Sequence, residues 1–484
     1  MNKSKMLTAM AGSVAKTRPH WTPVEHDEII VADFASPASM KKRLTLAVLL
    51  LTFCLCGAAF AETEDESSIV FREVRVFDGT ATALTEPLSV LVRGNRIASI
   101  GSDLEIPPDA RVIEGHGRTL MPGLIDVHVH LTFSALSMPR LLSPDLTPEL
   151  AEAAAADQAE AMLLRGFTSV RDMGGPIWSL KQGIDSGRYR GPRVWPSGAT
   201  VSQTAGHGDF RLPHERSRRF FGEPSRAELL GATFIADGRA EVLTAVRENL
   251  RFGASQIKLM AGGGTSSAYD PVDVTQYTFD EMRAAVEATE DWGTYVAVHA
   301  YTNRAIRRAI EAGVKVVEHG QLLDEDTLAL MAEREIWLST QVLRASTPDM
   351  DPLRRAKRAP VIEGQARLWP KARELGVQLA WGTDFLFEPA LNHEQNSNLL
   401  LLQEWFSPAE ILKLVTHDNA RLLALSGPRN PYPGRLGVIE PDALADLLLI
   451  NGNPLEDLDV LEDPEQNFIV IMKDGRIVHD SLAP

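Results

Sequence analysis

Cysteine is almost missing from this 484-residue chain. There are two, Cys54 and Cys56, and both fall in one apolar run, LTLAVLLLTFCLCGAAF, at 44–60. Nothing after that run can form a disulfide or a thiolate metal site. Blocks of Lys or Arg are also missing. With 49 Lys+Arg against 65 Asp+Glu the net charge is −16, which argues against binding a phosphate backbone as the main task. No solenoid-type repeat is present, and no low-complexity segment beyond the alanine run at 153–156. The triple glycine at 262–264 lacks the following Lys-Ser/Thr of a phosphate loop, so it reads as room for the backbone. What is present is 44% hydrophobic and 24% charged sequence, the balance of a globular chain with a sizeable core.

The apolar run is framed. Lys41, Lys42 and Arg43 precede it, and Ala59-Phe60-Ala61 and an acidic stretch follow it. Basic, apolar and A-x-A segments in that order read as a secretory signal peptide, 40–61, cleaved after Ala61. A membrane anchor is the rival reading, disfavoured because the run is short for a span and ends in a cleavage-like site. Residues 1–39 then read as an upstream extension from a start codon assigned too early. The mature chain, 62–484, carries 42 − 61 = −19 charges and no cysteine. It is expected in the periplasm or outside the cell, with no stable membrane anchor and no nucleic-acid partner. An exported chain without disulfides depends on its core, on metal or on assembly.

Two β-rich ends flank a long alternating middle. SIVFREVRVFDG, SVLVRGNRIASIG and ARVIEGHGRTLMPG at one end share their texture with ADLLLINGNP and FIVIMKDGRIVHD at the other. Both predict strands of one small β-sandwich, 62–118 with 434–484. Between them, over 119–433, eight apolar segments alternate with helical patterns: 124–130, 167–173, 193–198, 255–263, 294–300, 314–320, 335–341 and 377–384. That order predicts an α/β fold, a (β/α)8 barrel, with an open doubly wound sheet as the alternative.

The polar residues cluster where such a barrel keeps its chemistry, at strand C-termini. The first segment ends His128-Val129-His130, two side chains on one side of a strand. Lys258, His299, His319 and Asp384 fall at the corresponding places of later segments. Imidazoles with a carboxylate suit zinc. Lys258 sits between Ile257 and Leu259, where an ammonium is costly and tends to lose its proton. A neutral lysine amine can take up carbon dioxide, and the resulting carbamate can bridge two metals.

MPGLIDVHVHL, IKLMAGGG, VAVHA, VEHG and WGTD resemble the metal-dependent amidohydrolase superfamily. SGATVSQTAGHGDFR and HAYTNRAI are similar to its imidazolonepropionase-like branch of prolidases, Xaa-Arg carboxypeptidases and ochratoxin-degrading amidohydrolases. The likeness spans 68–484, including the ending Thr416, Ala420 and Leu423. It implies two Zn2+ per chain bridged by hydroxide and carboxylated Lys258. His128, His130 and Asp384 would hold one ion, His299 and His319 the other. It also implies a high-order homo-oligomer, an octamer being the expected form. Asp442 departs from the pattern, where related chains often carry Gly.

The resemblance implies hydrolysis of an amide between an acyl group and a C-terminal amino acid. N-acyl amino acids, dipeptides and ochratoxin A share that bond. Asp384 would be the catalytic proton carrier. Prolidase or Xaa-Arg/Lys carboxypeptidase action on the same scaffold is the first alternative. A catalytically inactive binding protein is another, and it would be expected to have lost ligands. Mononuclear deaminases often carry Glu three residues after the fifth-strand His, where this chain has Thr302. His207 and Arg211, after the third strand, and Tyr269 are candidate substrate contacts, Arg for a bidentate hold on a carboxylate. His393 is a candidate lid or supporting residue, His417 reads as a helix-surface residue, and His214 has no assigned role.

Overall fold

The computed structural model describes residues 68–267 and 269–482. The apolar run, its cysteines and the preceding extension lie outside the described residues. Among the described residues no helix is long and apolar enough to cross a membrane.

The chain's two ends build one eight-stranded sheet arrangement. The first end supplies β1 (Ser68–Val76), β2 (Leu88–Arg93), β3 (Arg96–Gly101), β4 (Arg111–Glu114) and β5 (Thr119–Pro122). β1 is bulged between Phe71 and Val74, with Glu73 at φ 54°. A bulge bends its strand, and β1 pairs with β2 and β4 before it and with β5 after it. One strand thereby belongs to both layers. β5 pairs antiparallel with a strand from the other end, Met121 opposite Leu448.

Ten strands follow: β6 (Leu124–Val129), β7 (Phe167–Asp172), β8 (Arg193–Pro196), β9 (Thr200–Ser202), β10 (Thr233–Ile235), β11 (Ile257–Met260), β12 (Val296–Ala300), β13 (Val316–His319), β14 (Trp337–Thr340) and β15 (Gln378–Trp381). They form the (β/α)8 barrel. Its strands are parallel and mostly buried on both faces, as continuous apolar runs require. The third barrel position is broken into β8 and β9 at Gly198. There φ is +75°, and a Cβ would meet Trp178 and Asn249 at 2.4 and 2.5 Å. Ser255 N donates to Pro196 O at 2.8 Å, and Leu259 of β11 registers with Val201 of β9, so both halves adjoin the fourth position. β10 adds a parallel arm outside the ring. Its three residues carried no turn or periodicity signal strong enough to be read as a strand.

The seam between last and first strands is closed by Asn419. Its amide donates to Ile125 O and Trp381 O at 2.7 and 2.8 Å and accepts from Trp381 N at 3.1 Å. Helices between strands begin at defined caps. Thr278 and Glu281, for instance, exchange side-chain and backbone hydrogen bonds at the start of the helix Phe279–Asp291.

The chain returns to the sandwich with β16 (Leu447–Ile450), β17 (Phe468–Lys473) and β18 (Arg476–Asp480). Ile69, Phe71, Val90, Val92 and Ile97 from the first end share one core with Leu447, Leu449, Val470 and Met472 from the last. Asp442 sits at φ 68° in the turn before β16, with its N–H donating to Ile97 O. That left-handed backbone favours glycine, and aspartate is among the few others that tolerate it.

Barrel and sandwich are joined by a buried ion pair. Arg193 at the start of β8 donates to both oxygens of Asp446 at 2.8 and 3.1 Å and to Asp474 at 2.6 Å. Removing one partner of a buried pair leaves an uncompensated charge, at a cost of about 3–5 kcal/mol. Asp446→Ala is therefore expected to lower unfolding free energy by about 3 kcal/mol in urea titrations, with Asp474 offsetting part of the loss. A change below about 1 kcal/mol would contradict a structural role for the pair.

Candidate metal and hydrolytic site

Five barrel positions deliver side chains to one cavity at the C-terminal ends of the strands. His128 and His130 come from β6, Lys258 from β11, His299 from β12, His319 from β13 and Asp384 from just past β15. All six line it. Strand alternation brings His128 and His130 to the same side. His319 and Asp384 need more than alternation. They have φ of 77° and 54°, left-handed values that re-aim a side chain at a strand end and persist only when surrounding bonds fix them. Asp384 is fixed by its own N–H, which donates to His128 O at 2.8 Å.

Each imidazole is oriented by a bond through one of its nitrogens. His128 Nδ1 lies 2.8 Å from Glu318 Oε2, His130 Nδ1 2.9 Å from Gly174 O and His319 Nδ1 2.7 Å from Gln341 Oε1. His299 uses Nε2, 3.1 Å from Gly263 O. A ring that donates through one nitrogen carries its lone pair on the other. Each ring thus keeps a lone pair on its other nitrogen, and for His128 and His130 that nitrogen faces Asp384. His128 Nε2 and His130 Nε2 each lie 3.3 Å from Asp384 Oδ1.

Burial lowers the pKa of His128 and His299 well below the usual value and that of His319 to about 4, so these rings are neutral at pH 7. Burial alone would raise Asp384. The converging His128, His130 and His319 outweigh it and hold the carboxyl well below the usual range. Burial brings Lys258 down to about 8.

These residues fit a metal. His128, His319 and Asp384 offer ligand atoms within 4.8 Å of one another. His128 Nε2 and Lys258 Nζ are buried without a hydrogen-bond partner. Neutral imidazoles with a second hydrogen bond to a carboxylate or carbonyl are the form in which histidine binds metal.

A supporting shell was not legible from motif spacing. Glu318 is fully buried and sits between His128 and Arg171, whose Nη2 donates to it at 2.7 Å. Asp126 accepts from Thr383 Oγ1 and N and from Gln395, tying β6 to the loop that carries Asp384. Asp172 accepts from Leu131 N and Gly174 N, fixing the turns beside His130. A glutamate, an arginine and two aspartates inside apolar strands were the available signal.

The three expected substrate contacts separate. His207 lines the cavity and stacks on His299 at 3.8 Å between centroids, held through Nδ1 by Ser267 Oγ at 2.9 Å and Asp270 Oδ2 at 3.4 Å. Arg211 is not brought to it: its guanidinium is engaged by Asp209. Tyr269 is 45% exposed, and its hydroxyl donates to Arg211 O. Its ring lines a separate apolar groove with Leu353 and Pro360. Tyr301, two residues past His299 on the same side of the chain, faces the cavity instead. Burial, with Asp384 adding, pushes its phenol upward, so it stays a donor. His214 and His393 are exposed. His417 pairs with Asp418 at 2.7 Å and lines a cleft with Trp195 and Ala420 by the strands' N-terminal ends.

Residues 119–478 match the model of the amidohydrolase family. The chain belongs to that family. It is 32% identical over 397 residues to ochratoxinase from Aspergillus niger, covering 78% of this chain and 81% of that one. A prolidase solved with N-methylphosphonate-L-proline superposes with a TM-score of 0.78 at 35% identity, over 86% of this chain and all of that one. A Xaa-Pro dipeptidase with bound methionine superposes at 0.73 and 29% identity, over 85% and 100%. This amidohydrolase is thus a hydrolase of carbon–nitrogen bonds, from a typically metal-dependent family, with a candidate metal site at His128, His319 and Asp384.

Lys258 gives a test that needs no turnover. A buried, unpartnered amine costs stability until something neutralises or ligates it. In metal-free protein, Lys258→Met is expected to raise unfolding free energy by about 1 kcal/mol or more in urea titrations, while metal retention falls. A metal-free variant less stable than the parent would show that the amine is satisfied without metal.

Proposed function

We propose that this protein is a binuclear zinc amidohydrolase that cuts the amide joining an acyl group to a C-terminal amino acid, in N-acyl amino acids, dipeptides and ochratoxin A. The observation that carries the reading is the set of four imidazoles lining one cavity with Asp384 and Lys258, each held through one nitrogen so that the other keeps its lone pair. Ligand loss, expected of an inactive binding protein, is not seen at any of the six positions. The likeness to an ochratoxinase and to prolidases supports amide bonds as the substrate class. Prolidase action remains the second reading, favoured by the superposition on two proline-dipeptide enzymes.

His128, His130 and Asp384 would hold one zinc, His299 and His319 the other. Lys258, as its carbamate, would bridge them. An amine with its pKa brought down to about 8 has a substantial neutral fraction near neutral pH, the form that attacks carbon dioxide. Zinc held here supplies Lewis acidity, lowering the pKa of water and polarising a carbonyl.

The chain's own groups do the rest. Asp384 accepts the proton of the attacking water as the carbonyl carbon becomes tetrahedral, then delivers it to the leaving nitrogen as the C–N bond breaks. Tyr301 offers a phenolic donor to the cavity, and His207, with Nδ1 accepting from the Ser267 hydroxyl, would present Nε2–H to the substrate carboxylate. Arg211 holds Asp209 in this reading and leaves the carboxylate to other groups. The cavity's apolar neighbours limit water around the reacting atoms.

The framed run at 40–61 supports export, and the branch resemblance supports a homo-oligomer. N-terminal sequencing of exported protein is expected to begin at Glu62; a chain still starting at Met1 would remove the export reading.

Asp384→Asn separates proton transfer from ligation. The amide keeps an oxygen for metal but is no base near neutral pH. General acid–base work contributes 10²–10⁴-fold. The variant is expected to keep at least one metal by elemental analysis and lose at least about a hundredfold in kcat on N-acyl amino acids. Amide cleavage within tenfold of the parent, with metal retained, would assign the proton to another group.

A further inference from the structure

One wall of the cavity is aromatic, and the mechanism above assigns it no contact with the substrate. Phe133 follows β6, Phe210 follows β9 and Phe387 follows β15, so three separate loops converge. Their centroids are 5.4 Å (Phe133–Phe387), 5.9 Å (Phe133–Phe210) and 6.0 Å (Phe210–Phe387) apart. Phe133 also stacks on His130 at 5.6 Å and 25°. The wall therefore borders the metal-ligand set directly.

The wall is held in place at some cost. Phe387 has φ of 61°, a genuine outlier for a bulky side chain and of order 1–3 kcal/mol in strain. Its N–H donates to Phe133 O at 2.7 Å, which fixes it against the second ring. Phe210 is fixed from the other side. Asp209 accepts from Ala205 N at 2.8 Å and Arg211 N at 3.3 Å and engages the Arg211 guanidinium. That clamp sets both Phe210 and His207, three residues earlier on the same loop. Phe133 is buried in a core cluster, but Phe210 and Phe387 are only half-buried and show their rings to the cavity.

The geometry points to Phe133, Phe210 and Phe387 as the wall that receives the leaving amino acid's side chain, selecting aromatic and large apolar residues and rejecting cationic ones. This rests on the amide-hydrolase reading, in which His207 faces the substrate carboxylate: Phe210, on the same pinned loop, then faces that residue's side chain. Among the described residues Asp384 is the only acid lining the cavity, and His128 and His130 already flank it. A lysine or arginine side chain would enter among the phenyl rings without a free countercharge, an expensive burial. An aromatic guest finds offset and edge contacts of the kind the three rings already make. Attraction of a cation to a phenyl face is the competing effect, and arginine substrates test it.

The experiment measures kcat and KM of zinc-loaded wild type, Phe210→Ala and Phe387→Ala on N-acetyl-phenylalanine, N-acetyl-alanine and N-acetyl-arginine. Calorimetry of free L-phenylalanine and L-arginine runs in parallel. One pocket contact difference is worth roughly 10–200-fold, so wild type is expected to favour the phenylalanine compound over the arginine one by at least about tenfold. Each variant should lower kcat/KM for N-acetyl-phenylalanine about tenfold or more, mainly through KM, and leave N-acetyl-alanine within about threefold. Equal use of the arginine compound, or an equal loss on all three compounds in both variants, would overturn the assignment. If no amide is cut, the amide-hydrolase reading fails and binding decides the wall. Tighter binding of phenylalanine than arginine, weakened in either variant, supports it, and equal binding overturns it.

Discussion

The site depends on one buried ion pair, Arg171 with Glu318. Arg171 stands on β7 and is fully buried. It donates to Val127 O of β6 at 2.6 Å, Tyr295 Oη before β12 at 3.2 Å, Glu318 of β13 at 2.7 Å and Ser339 Oγ of β14 at 3.2 Å. One guanidinium therefore spans the barrel interior and ties five positions of the ring. Its partner Glu318 turns the second carboxylate oxygen to His128 Nδ1. The orientation of the first imidazole of the cavity is thus set, through Glu318, by an arginine on the neighbouring strand that does not itself line the cavity.

Such a pair contributes geometry more than stability. Two charges taken fully out of water cost several kcal/mol each, and their attraction offsets this only when the remaining donors are also satisfied. Here four of the five hydrogen-bonding directions of Arg171 are used on other strands. The more exposed ion pairs, such as Arg251 with Glu248, add little by comparison. Polar groups inside the barrel include some paired for orientation, like Glu318, and some left unpaired at the cavity, like Lys258 Nζ and His128 Nε2. The second class is where a ligand stabilises the protein most, because binding to the folded state alone shifts its equilibrium.

Much of the architecture was legible in the sequence, for a physical reason. Parallel barrel strands are buried on both sides and leave short continuous apolar runs, and all eight such runs became strands. The β-rich ends likewise met in one core. What the runs could not show was the break at Gly198, where the crowding partners, Trp178 and Asn249, are 20 and 51 residues away. β10 lay below the level at which a three-residue strand can be read. At the site, His128, His130, Lys258, His299, His319 and Asp384 were visible because imidazole, amine and carboxylate at successive strand ends form a pattern. His207 reached the cavity, but Arg211 and Tyr269 did not. Sequence shows that a loop carries an arginine; it does not show that Asp209, two residues before, already occupies it. Glu318 and Arg171 were hidden for the opposite reason: their partners are 190 and 147 residues away.

The remaining information is in backbone conformation. His319, Asp384 and Phe387 all adopt left-handed φ without being glycine, and each is costly alone. At His319 the consequence is that Glu318 and its neighbour both serve the same interior, which regular alternation forbids. At Asp384 it places a carboxylate between rings from β6 and β13. At Phe387 it turns a loop back onto Phe133. Ligand residues near strand ends are held by the barrel's hydrogen-bond ring, whereas the aromatic wall is held by loop contacts such as Phe387 N to Phe133 O and the Asp209 clamp. Strand-held groups change only with the fold, while loop-held groups can change singly. Chemistry and selectivity therefore rest on different parts of the same cavity. Substitution at Phe210 or Phe387 can shift which amino acid is accepted without moving the imidazoles, because neither ring supplies a hydrogen bond to any of them.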